Sequence, residues 1–264
     1  MQAKVNGTKI YYTEGGNPAA TSVVFIHGFP FSSAIWKDQL KMLDRDFHHV
    51  AYDFRGLGSS DLGDGQYTLE GHVDDLIAML DYLEIDQAIV VGLSMGGYIA
   101  LRALERNPER FLGVVLCDTQ SKADDNAAKI KRAVGAKAVK QDGAAAFAAG
   151  FVGAVFTKAS IQNDVAAVGL IKDLISANNP LAIAGNLIAM AGRTDTTESL
   201  RNISIPTLIL VGEEDALTTP DTARVMHEQI KGSELHVVPK AAHMSNLENP
   251  EFFNARLLEF LKKV

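Results

Sequence analysis

The chain has 264 residues, of which 47% are hydrophobic and 22% are charged, the composition of an ordinary globular protein. Its formal net charge of −7 at pH 7 argues against nucleic acid or anionic lipid as a partner. The single cysteine, Cys117, excludes an internal disulfide and fits a reducing compartment. Because the chain shows no signal peptide and no apolar run near the ~18 residues of a membrane span, we expect a soluble, cytoplasmic protein without a membrane partner.

Short apolar runs rich in β-branched residues recur along the chain and predict β-strands. From Ser22 onward most of these runs are almost continuously apolar, as strands covered on both faces are. Helix-length segments lie between several of them, such as residues 68–83, whose apolar side chains have helical spacing. This alternation predicts an α/β protein with a parallel sheet flanked by helices. The predicted strands are 9–13, 22–26, 49–53, 88–92, 112–116, 207–211 and 234–238.

The alternation stops at about residue 121 and resumes at about residue 205. The intervening segment is rich in alanine and contains no comparable strand-like run. A helical block inserted between two strands of a sheet is typical of a cap. We therefore expect a core of residues 1–120 and 205–264 and a helical cap of residues 121–204. The predicted cap helices are 125–139, 144–156, 161–176 and 180–190.

The segment Gly92-Leu-Ser94-Met-Gly96-Gly97 follows a predicted strand directly and leads into a predicted helix at 99–106. A serine on a sharp strand-to-helix turn has a strained backbone, so its neighbours must be small, as these glycines are. The turn exposes the hydroxyl above the sheet and directs the Met95 amide toward the same point. This context predicts Ser94 as a nucleophile rather than as part of an ordinary glycine-rich turn.

The loop His27-Gly28-Phe29-Pro30 follows the predicted strand 22–26. If Ser94 attacks a carbonyl carbon in acyl transfer, negative charge develops on the carbonyl oxygen. Preorganised hydrogen-bond donors are needed to stabilise that charge. Gly28 allows the loop to bend so that the Phe29 amide joins that of Met95, whereas Pro30 has no N–H to donate. We expect the Phe29 and Met95 amides to form an oxyanion hole. His27, taken alone, fits a structural histidine.

His243 lies in the loop after the last predicted strand, ahead of Asn249-Pro250, which predicts the start of the final helix. A histidine just beyond a strand can reach over the sheet edge where Ser94 is exposed. This position predicts His243 as the general base. The competing histidines are worse placed: His72 and His227 lie in helical stretches, His48 and His49 enter a strand, and His236 lies within a strand.

A histidine that acts as a general base beside a serine also needs an acidic side chain to orient it, and this acid has two candidates. Asp215 follows the predicted strand 207–211. It lies between the serine and the histidine in the chain, as the order Ser–Asp–His requires. Asp118 follows the strand 112–116 and could reach a histidine at the same edge of the sheet. Glu213 and Glu214 fit solvated turn charges better. We predict Asp215 as the acid, with Asp118 as the alternative.

With these motifs the chain resembles the α/β-hydrolase superfamily over nearly its whole length. It looks closest to bacterial serine carboxylesterases and 3-oxoadipate enol-lactonase-like hydrolases, a branch that includes cofactor-free perhydrolases. The resemblance implies an eight-stranded, mostly parallel sheet with an antiparallel second strand and a helical cap after the sixth strand. In the family, Asp53 and Arg55 belong to a structural turn. The motifs are residues 27–30, 53–60, 92–97 and 206–215, and His243 followed by Pro250.

Together these residues predict a serine hydrolase that cleaves small to medium carboxylic esters through an acyl-enzyme on Ser94. No cofactor and no metal is expected, because no cluster of metal-ligating residues has ligand spacing. A serine at this position argues against the halide and epoxide chemistry of relatives that carry aspartate there. The alternatives are an enol-lactonase or other lactone hydrolase, with a perhydrolase or acyl-transfer side activity, and a slow-turnover small-molecule sensor.

The sequence also suggests walls for a substrate pocket that accepts an uncharged small-molecule ester or lactone. Beside the catalytic residues we expect apolar side chains from the core, and above them aromatic side chains from the cap. The sequence leaves the oligomeric state open. The predicted wall residues are Phe29, Phe31, Met95, Leu217 and Met244 from the core, and Phe147, Phe151 and Phe156 from the cap.

Overall fold

Eight strands form one sheet in the described parts of the chain, residues 1–43, 45–163 and 165–264 of a computed structural model. They are β1 (Gln2–Val5), β2 (Thr8–Gly16), β3 (Ser22–Ile26), β4 (His48–Tyr52), β5 (Ala88–Leu93), β6 (Phe111–Cys117), β7 (Thr207–Gly212) and β8 (Glu234–Val238). Their spatial order is β1-β2-β4-β3-β5-β6-β7-β8. β2 is antiparallel to both its neighbours, and all other pairs are parallel. The predicted sheet is confirmed.

Helices cover both faces of this sheet and fill the segment between β6 and β7. Single 3-10 turns occur at Ser33–Trp36, Pro108–Arg110 and Leu200–Asn202. The α-helices are α1 (Lys37–Leu43), α2 (Leu69–Tyr82), α3 (Met95–Arg106), α4 (Asn126–Asp142), α5 (Ala144–Val155), α6 (Lys158–Gln162), α7 (Ala166–Ala177), α8 (Pro180–Ala191), α9 (Pro220–Gln229), α10 (Ser245–Glu248) and α11 (Pro250–Leu261).

The local sequence explains where the core elements begin and why they are buried. Every residue of β5 is buried, as expected of a central strand with helices on both faces. The Thr68 side chain accepts a hydrogen bond from the Gly71 amide and caps α2. Asn249 caps α11 in the same way, with Pro250 at the first helical position. The predicted final helix therefore begins where its sequence indicates.

The predicted helix at 161–176 is wrong in its extent, because α6 and α7 are separate helices. α6 starts earlier, at a Thr157 cap, and both Thr157 and Ser160 donate hydrogen bonds to Glu248 in α10. These polar tertiary contacts define a short helix that apolar periodicity does not indicate. Residue 164, which the prediction included, lies outside the described residues.

The parallel strands bring their carboxyl ends to one edge of the sheet, and the loops that follow them meet there. The segment between β6 and β7 lies above this edge. Phe147 and Phe151 of α5 contact the ring of Phe29, in the loop after β3, with ring centroids 6.1 Å apart in each pair. Residues of α4 and α5 also line one cavity together with Ser94, the residue that follows β5, so both helices lie above the end of that strand. The division into core and cap at residues 121 and 204 stays a prediction.

Among the described residues, no single helix has both the length and the apolar composition needed to cross a membrane. Helices α7 and α8 meet that test only when they are taken together, with a bend of 99° between them.

Candidate active site

Ser94 joins β5 to α3 in a backbone conformation that non-glycine residues rarely adopt, with φ 54° and ψ −112°. Its amide donates to the carbonyl of Cys117 at the end of β6, with N and O 2.9 Å apart. The hydroxyl of Thr119 donates to the Ser94 carbonyl at 2.7 Å. The strained turn is therefore held from the neighbouring strand, and the serine side chain remains partly exposed.

Two glycines beside Ser94 are required by the close approach of the backbone. A Cβ atom on Gly92 would lie 2.5 Å from the Gly96 carbonyl oxygen. A Cβ atom on Gly96 would lie 2.2 Å from the carbonyl oxygen of Ile26 in β3. Because backbone atoms block both positions, a side chain at either would displace the turn or the strand beside it.

His243 and Asp215 form a buried pair, with Nδ1 of the histidine 2.8 Å from Oδ2 of the aspartate. The second carboxylate oxygen accepts the amides of Leu217 and Thr218, at 2.8 and 3.0 Å. An ionised carboxylate can only accept, so Nδ1 carries the imidazole proton. Nε2 therefore keeps its lone pair and can accept a proton from a reacting group.

Each member of this pair shifts the pKa of the other. Burial alone would raise the pKa of Asp215, but the charge and hydrogen bond of His243 outweigh it, and the pKa lies below its ordinary value. Burial alone would lower the pKa of His243, but the charge and hydrogen bond of Asp215 raise it above its usual range. The aspartate is thus ionised, and it stabilises the protonated imidazole.

Asp118, the competing acid, is fully buried at the end of β6 but bonds to other groups. One of its oxygens accepts the Gly212 amide at 2.8 Å, and the other accepts the Ser245 hydroxyl. Burial, followed by the nearby charge of Asp215, raises its pKa to about 8. Among the described hydrogen bonds the imidazole contacts Asp215 and not Asp118. Glu213 and Glu214 are exposed, as solvated turn charges are.

The loop after β3 passes close to the end of β5. A Cβ atom on Gly28 would lie 2.7 Å from a methyl carbon of Leu93. Within the described residues, neither the Phe29 amide nor the Met95 amide donates a hydrogen bond to a protein group. Both amides are thus free to donate to a substrate oxygen.

His27 has a structural role in the same loop. Its Nδ1 donates to the Gly28 carbonyl at 2.7 Å, and its Nε2 accepts the Phe54 amide at 3.0 Å. Burial lowers its pKa, so the ring stays neutral. The His27 side chain therefore stabilises the loop through these two hydrogen bonds.

A cavity of about 520 Å³ contains both Ser94 and His243. Of the predicted wall residues, it is lined by Phe29, Phe147, Phe151 and Leu217.

The prediction of Phe31 and Met244 as wall residues is wrong, since neither is among the described residues that line the cavity and both are completely buried. The chain turns back after Gly28, and the Phe31 ring packs against Phe151, with centroids 6.2 Å apart. The Met244 amide donates to the Val155 carbonyl at 3.2 Å, beneath α5. Met95 and Phe156 are also buried and lie outside the described lining.

Sequence reasoning missed Thr218 and the polar part of the cavity wall. The Thr218 hydroxyl donates to Asp215 Oδ2 at 2.7 Å and lies 3.2 Å from His243 Nδ1. The sequence signal that could have suggested this contact is a hydroxyl residue three positions after Asp215. The missed polar wall residues are Tyr98, Gln120, Asp124, Lys131 and Arg132. No group of three or more His, Cys, Asp or Glu side chains in the described ranges is placed to hold a metal ion.

The sheet order, the strained serine turn and the aspartate–histidine pair together define an α/β-hydrolase. A family model described as alpha/beta hydrolase fold matches residues 21–250, and the chain belongs to this family. The 3-oxoadipate enol-lactonase 1 of Acinetobacter baylyi is 32% identical over 94% of this chain and 91% of its own length.

Two solved structures are similar to this chain over nearly their whole length. An esterase from Thermogutta terrifontis has a TM-score of 0.94 at 29% identity, covering 100% of this chain and 98% of its own. The enol-lactonase from Burkholderia xenovorans LB400 has a TM-score of 0.93 at 27% identity, covering 99% and 100%. The chain is accordingly a carboxylic ester hydrolase, the class predicted from its sequence.

Proposed function

We propose that the protein hydrolyses small carboxylic esters, lactones included, through an acyl-enzyme on Ser94. The observation that carries this proposal is the 2.8 Å bond between His243 Nδ1 and Asp215 Oδ2 beside a cavity that also contains Ser94. A serine, a histidine with a free Nε2 lone pair and an aspartate that orients the ring are the three groups that nucleophilic acyl transfer needs.

In the first half of the reaction, the Ser94 hydroxyl attacks the ester carbonyl carbon while His243 Nε2 takes its proton. Asp215 stabilises the imidazolium that forms and fixes the ring tautomer. The carbonyl oxygen becomes negatively charged and accepts hydrogen bonds from the Phe29 and Met95 amides. The bond to the leaving alkoxide then breaks, and the alkoxide takes the proton from His243.

In the second half, a water molecule takes the place of the alcohol. His243 Nε2 removes one water proton as the oxygen attacks the acyl-enzyme, and the Ser94 oxygen recovers that proton when it leaves. The acid is released and the enzyme regains its starting protonation. With a lactone the alkoxide stays attached to the acyl group, so the same steps open a ring.

The cavity wall supports a preference for short acyl chains, because the apolar space beside the serine is lined by Phe29, Phe147, Phe151 and Leu217. Lactones are included because two of the similar proteins are named as enol-lactonases, one 32% and one 27% identical.

The proposal is tested with p-nitrophenyl esters and lactones of graded acyl length. We expect multiple turnovers, and we expect Ser94→Ala to reduce turnover by up to ~10⁶-fold while the fold is retained. Ser204→Ala is the matched control, since that serine is exposed at the opposite, amino-terminal edge of the sheet. A single turnover followed by arrest would favour the small-molecule sensor instead. Full activity in Ser94→Ala would exclude the proposed nucleophile.

A further inference from the structure

The loop that carries His243 is fixed by hydrogen bonds on both sides of the histidine. On one side, the Met244 amide donates to the carbonyl of Val155, the last residue of α5, with N and O 3.2 Å apart. On the other side, the Ala242 amide donates to Oε2 of Glu248 at 2.6 Å. The backbone before the histidine and the backbone after it therefore each have a defined partner.

Glu248 joins this loop to the start of α6. Its other carboxylate oxygen, Oε1, accepts the Thr157 amide at 2.9 Å and the Ser160 hydroxyl at 2.6 Å. Since a carboxylate has two acceptor oxygens, each of them is used here on a different part of the chain. One side chain thus bridges the residue before His243 and the helix that follows α5.

The partners of the loop lie at the junction of two helices. We call residues 155–157, where α5 ends and the cap of α6 lies, the α5–α6 junction. All three residues are buried. Hydrogen bonds are stronger in such surroundings than in water. A shift of the junction therefore either breaks the bonds to Glu248 and Met244 or moves the loop of His243 with it.

Helix α5 connects this junction to the cavity. Phe147 and Phe151 line the cavity beside Ser94. Val155 lies four residues after Phe151, which places it one turn further along the same face of the helix. Because a helix is a rigid element, a displacement at one end reaches the other. An acyl chain that packs against the two rings thus acts on the helix whose end contacts the loop of His243.

The position of the imidazole decides whether it can act as a base. The Nε2 atom of His243 keeps its lone pair only while Nδ1 donates to Asp215, 2.8 Å away. A displacement of about 1 Å at a catalytic group can reduce the rate about 10²-fold. The bonds that fix the backbone beside His243 therefore affect turnover more than the affinity for substrate.

We propose that Glu248 is a positioning residue that couples the α5–α6 junction to the catalytic base. Its two oxygens hold the Ala242 amide and the start of α6 together, which keeps His243 within hydrogen-bonding distance of Asp215. An acyl chain that fits against α5 then raises turnover through the position of the base, in addition to its own binding. This inference rests on the proposed function, because it requires His243 as the general base, and it adds a control on that site.

The test measures kcat and KM for p-nitrophenyl acetate and p-nitrophenyl butyrate in Glu248→Gln. Glutamine keeps the size of the side chain but replaces one acceptor oxygen by an NH2 group, which would face a donor. We expect kcat to fall about tenfold, the equivalent of one hydrogen bond to a charged group, with KM nearly unchanged. The ratio of kcat for the butyrate to kcat for the acetate should also fall, because α5 no longer acts on His243.

Ser160→Ala tests the same link from α6 without a change of charge. It removes the hydroxyl that donates to Glu248 Oε1 and leaves the Ala242 amide in place. Alone it should lower kcat about twofold, and combined with Glu248→Gln it should lower kcat no further, because both changes act through one bond. If Glu248→Gln does not fold, Ser160→Ala decides by itself, and an unchanged kcat there would overturn the inference.

Glu251→Gln is the matched control, because Glu251 has the same charge three positions further along, is exposed and is not the partner of the Ala242 or Thr157 amide. Its kcat and KM should equal those of the wild type. Thermal unfolding followed by circular dichroism identifies the variants that are folded at the assay temperature.

Three results would overturn the inference. They are a lower unfolding temperature of Glu248→Gln with unchanged kcat, an equal fall of kcat in Glu251→Gln, and effects of Ser160→Ala and Glu248→Gln that multiply in the double variant. If Ser94→Ala is inactive in these cases, only the inference fails. If Ser94→Ala still hydrolyses both esters, the proposed function fails as well.

Discussion

The loops at the carboxyl edge of the sheet and the helices above them contribute to the same cavity in different ways. In the loops, Asp215 and His243 are each 3% exposed and are bonded to each other, and Asp215 also accepts two backbone amides. On the helices, the wall residue Val134 is 63% exposed, and the wall residues Phe147 and Phe151 are partly exposed. Rigid positions suit the steps that every substrate shares, and adaptable ones suit selection among substrates. Changes in the loops should therefore reduce catalysis generally, and changes in the helices should alter preference.

Among substitutions in the loops, Asp215→Asn should have the largest effect after Ser94→Ala. The amide keeps the size of the side chain but can turn an N–H toward Nδ1, which favours the unproductive tautomer. In a triad with this arrangement the change costs about 10⁴ in turnover. Asp118→Asn should cost far less, because Asp118 bonds to Gly212 and Ser245. If Asp118→Asn were the more damaging with both variants folded, Asp215 would not be the acid.

The pH dependence follows from the raised pKa of His243. The base accepts a proton only when neutral, so kcat/KM should rise with pH through one ionisation and fall about tenfold per unit below it. Because Asp215 stabilises the protonated ring, the midpoint should lie above the ordinary histidine value of about 6.5. Stopped-flow rates between about pH 5 and 9 measure this. A flat profile would argue against histidine as the base.

A smaller effect is expected from Thr218→Val, which keeps the shape of the side chain but removes the hydroxyl that donates to Asp215. The carboxylate retains the Leu217 and Thr218 amides, so we expect a loss of about tenfold in kcat, the equivalent of one hydrogen bond. Thr218→Ser should restore most of the activity. If the serine variant were as slow as the valine variant, the hydroxyl would not be the relevant group.

On the helices, Phe147→Ala and Phe151→Ala should change preference rather than the shared chemistry. Wild type is expected to prefer acyl chains of about C2 to C6, and removing either ring enlarges the apolar space beside Ser94. The optimum should move to longer chains in a panel of p-nitrophenyl esters. An unchanged optimum in both variants would mean that these rings only support the packing of α5.

The sequence predicted the loops better than the helices, for a physical reason. The Ser94 turn requires glycines at fixed offsets, since backbone atoms exclude a Cβ at Gly92 and Gly96, and this requirement is visible in the sequence. The order of strands and helices places His243 and Asp215 at one edge. Strand β1, with four residues, is too short for periodicity to identify.

The helical segment depends on tertiary contacts that leave little trace in the sequence. The early start of α6 accompanies hydrogen bonds from Thr157 and Ser160 to Glu248, 88 or more positions away. Phe31 is apolar and close to the site in the sequence, yet the turn of its loop directs it into the core. Lys131 and Arg132 were missed as wall residues because the segment was predicted from its apolar residues alone.

The central claim is that Ser94, His243 and Asp215 act as one unit. The most direct test of this claim is to map the covalent adduct that a p-nitrophenyl phosphonate forms with the protein. The phosphonate captures the activated nucleophile and mimics the charged intermediate, so the adduct marks the attacking residue. Peptide mass spectrometry should find one adduct per chain, on Ser94, that forms rapidly in wild type, slowly in Asp215→Asn and not at all in Ser94→Ala. An adduct that persists on another serine in Ser94→Ala, or that forms equally fast in Asp215→Asn, would contradict the account.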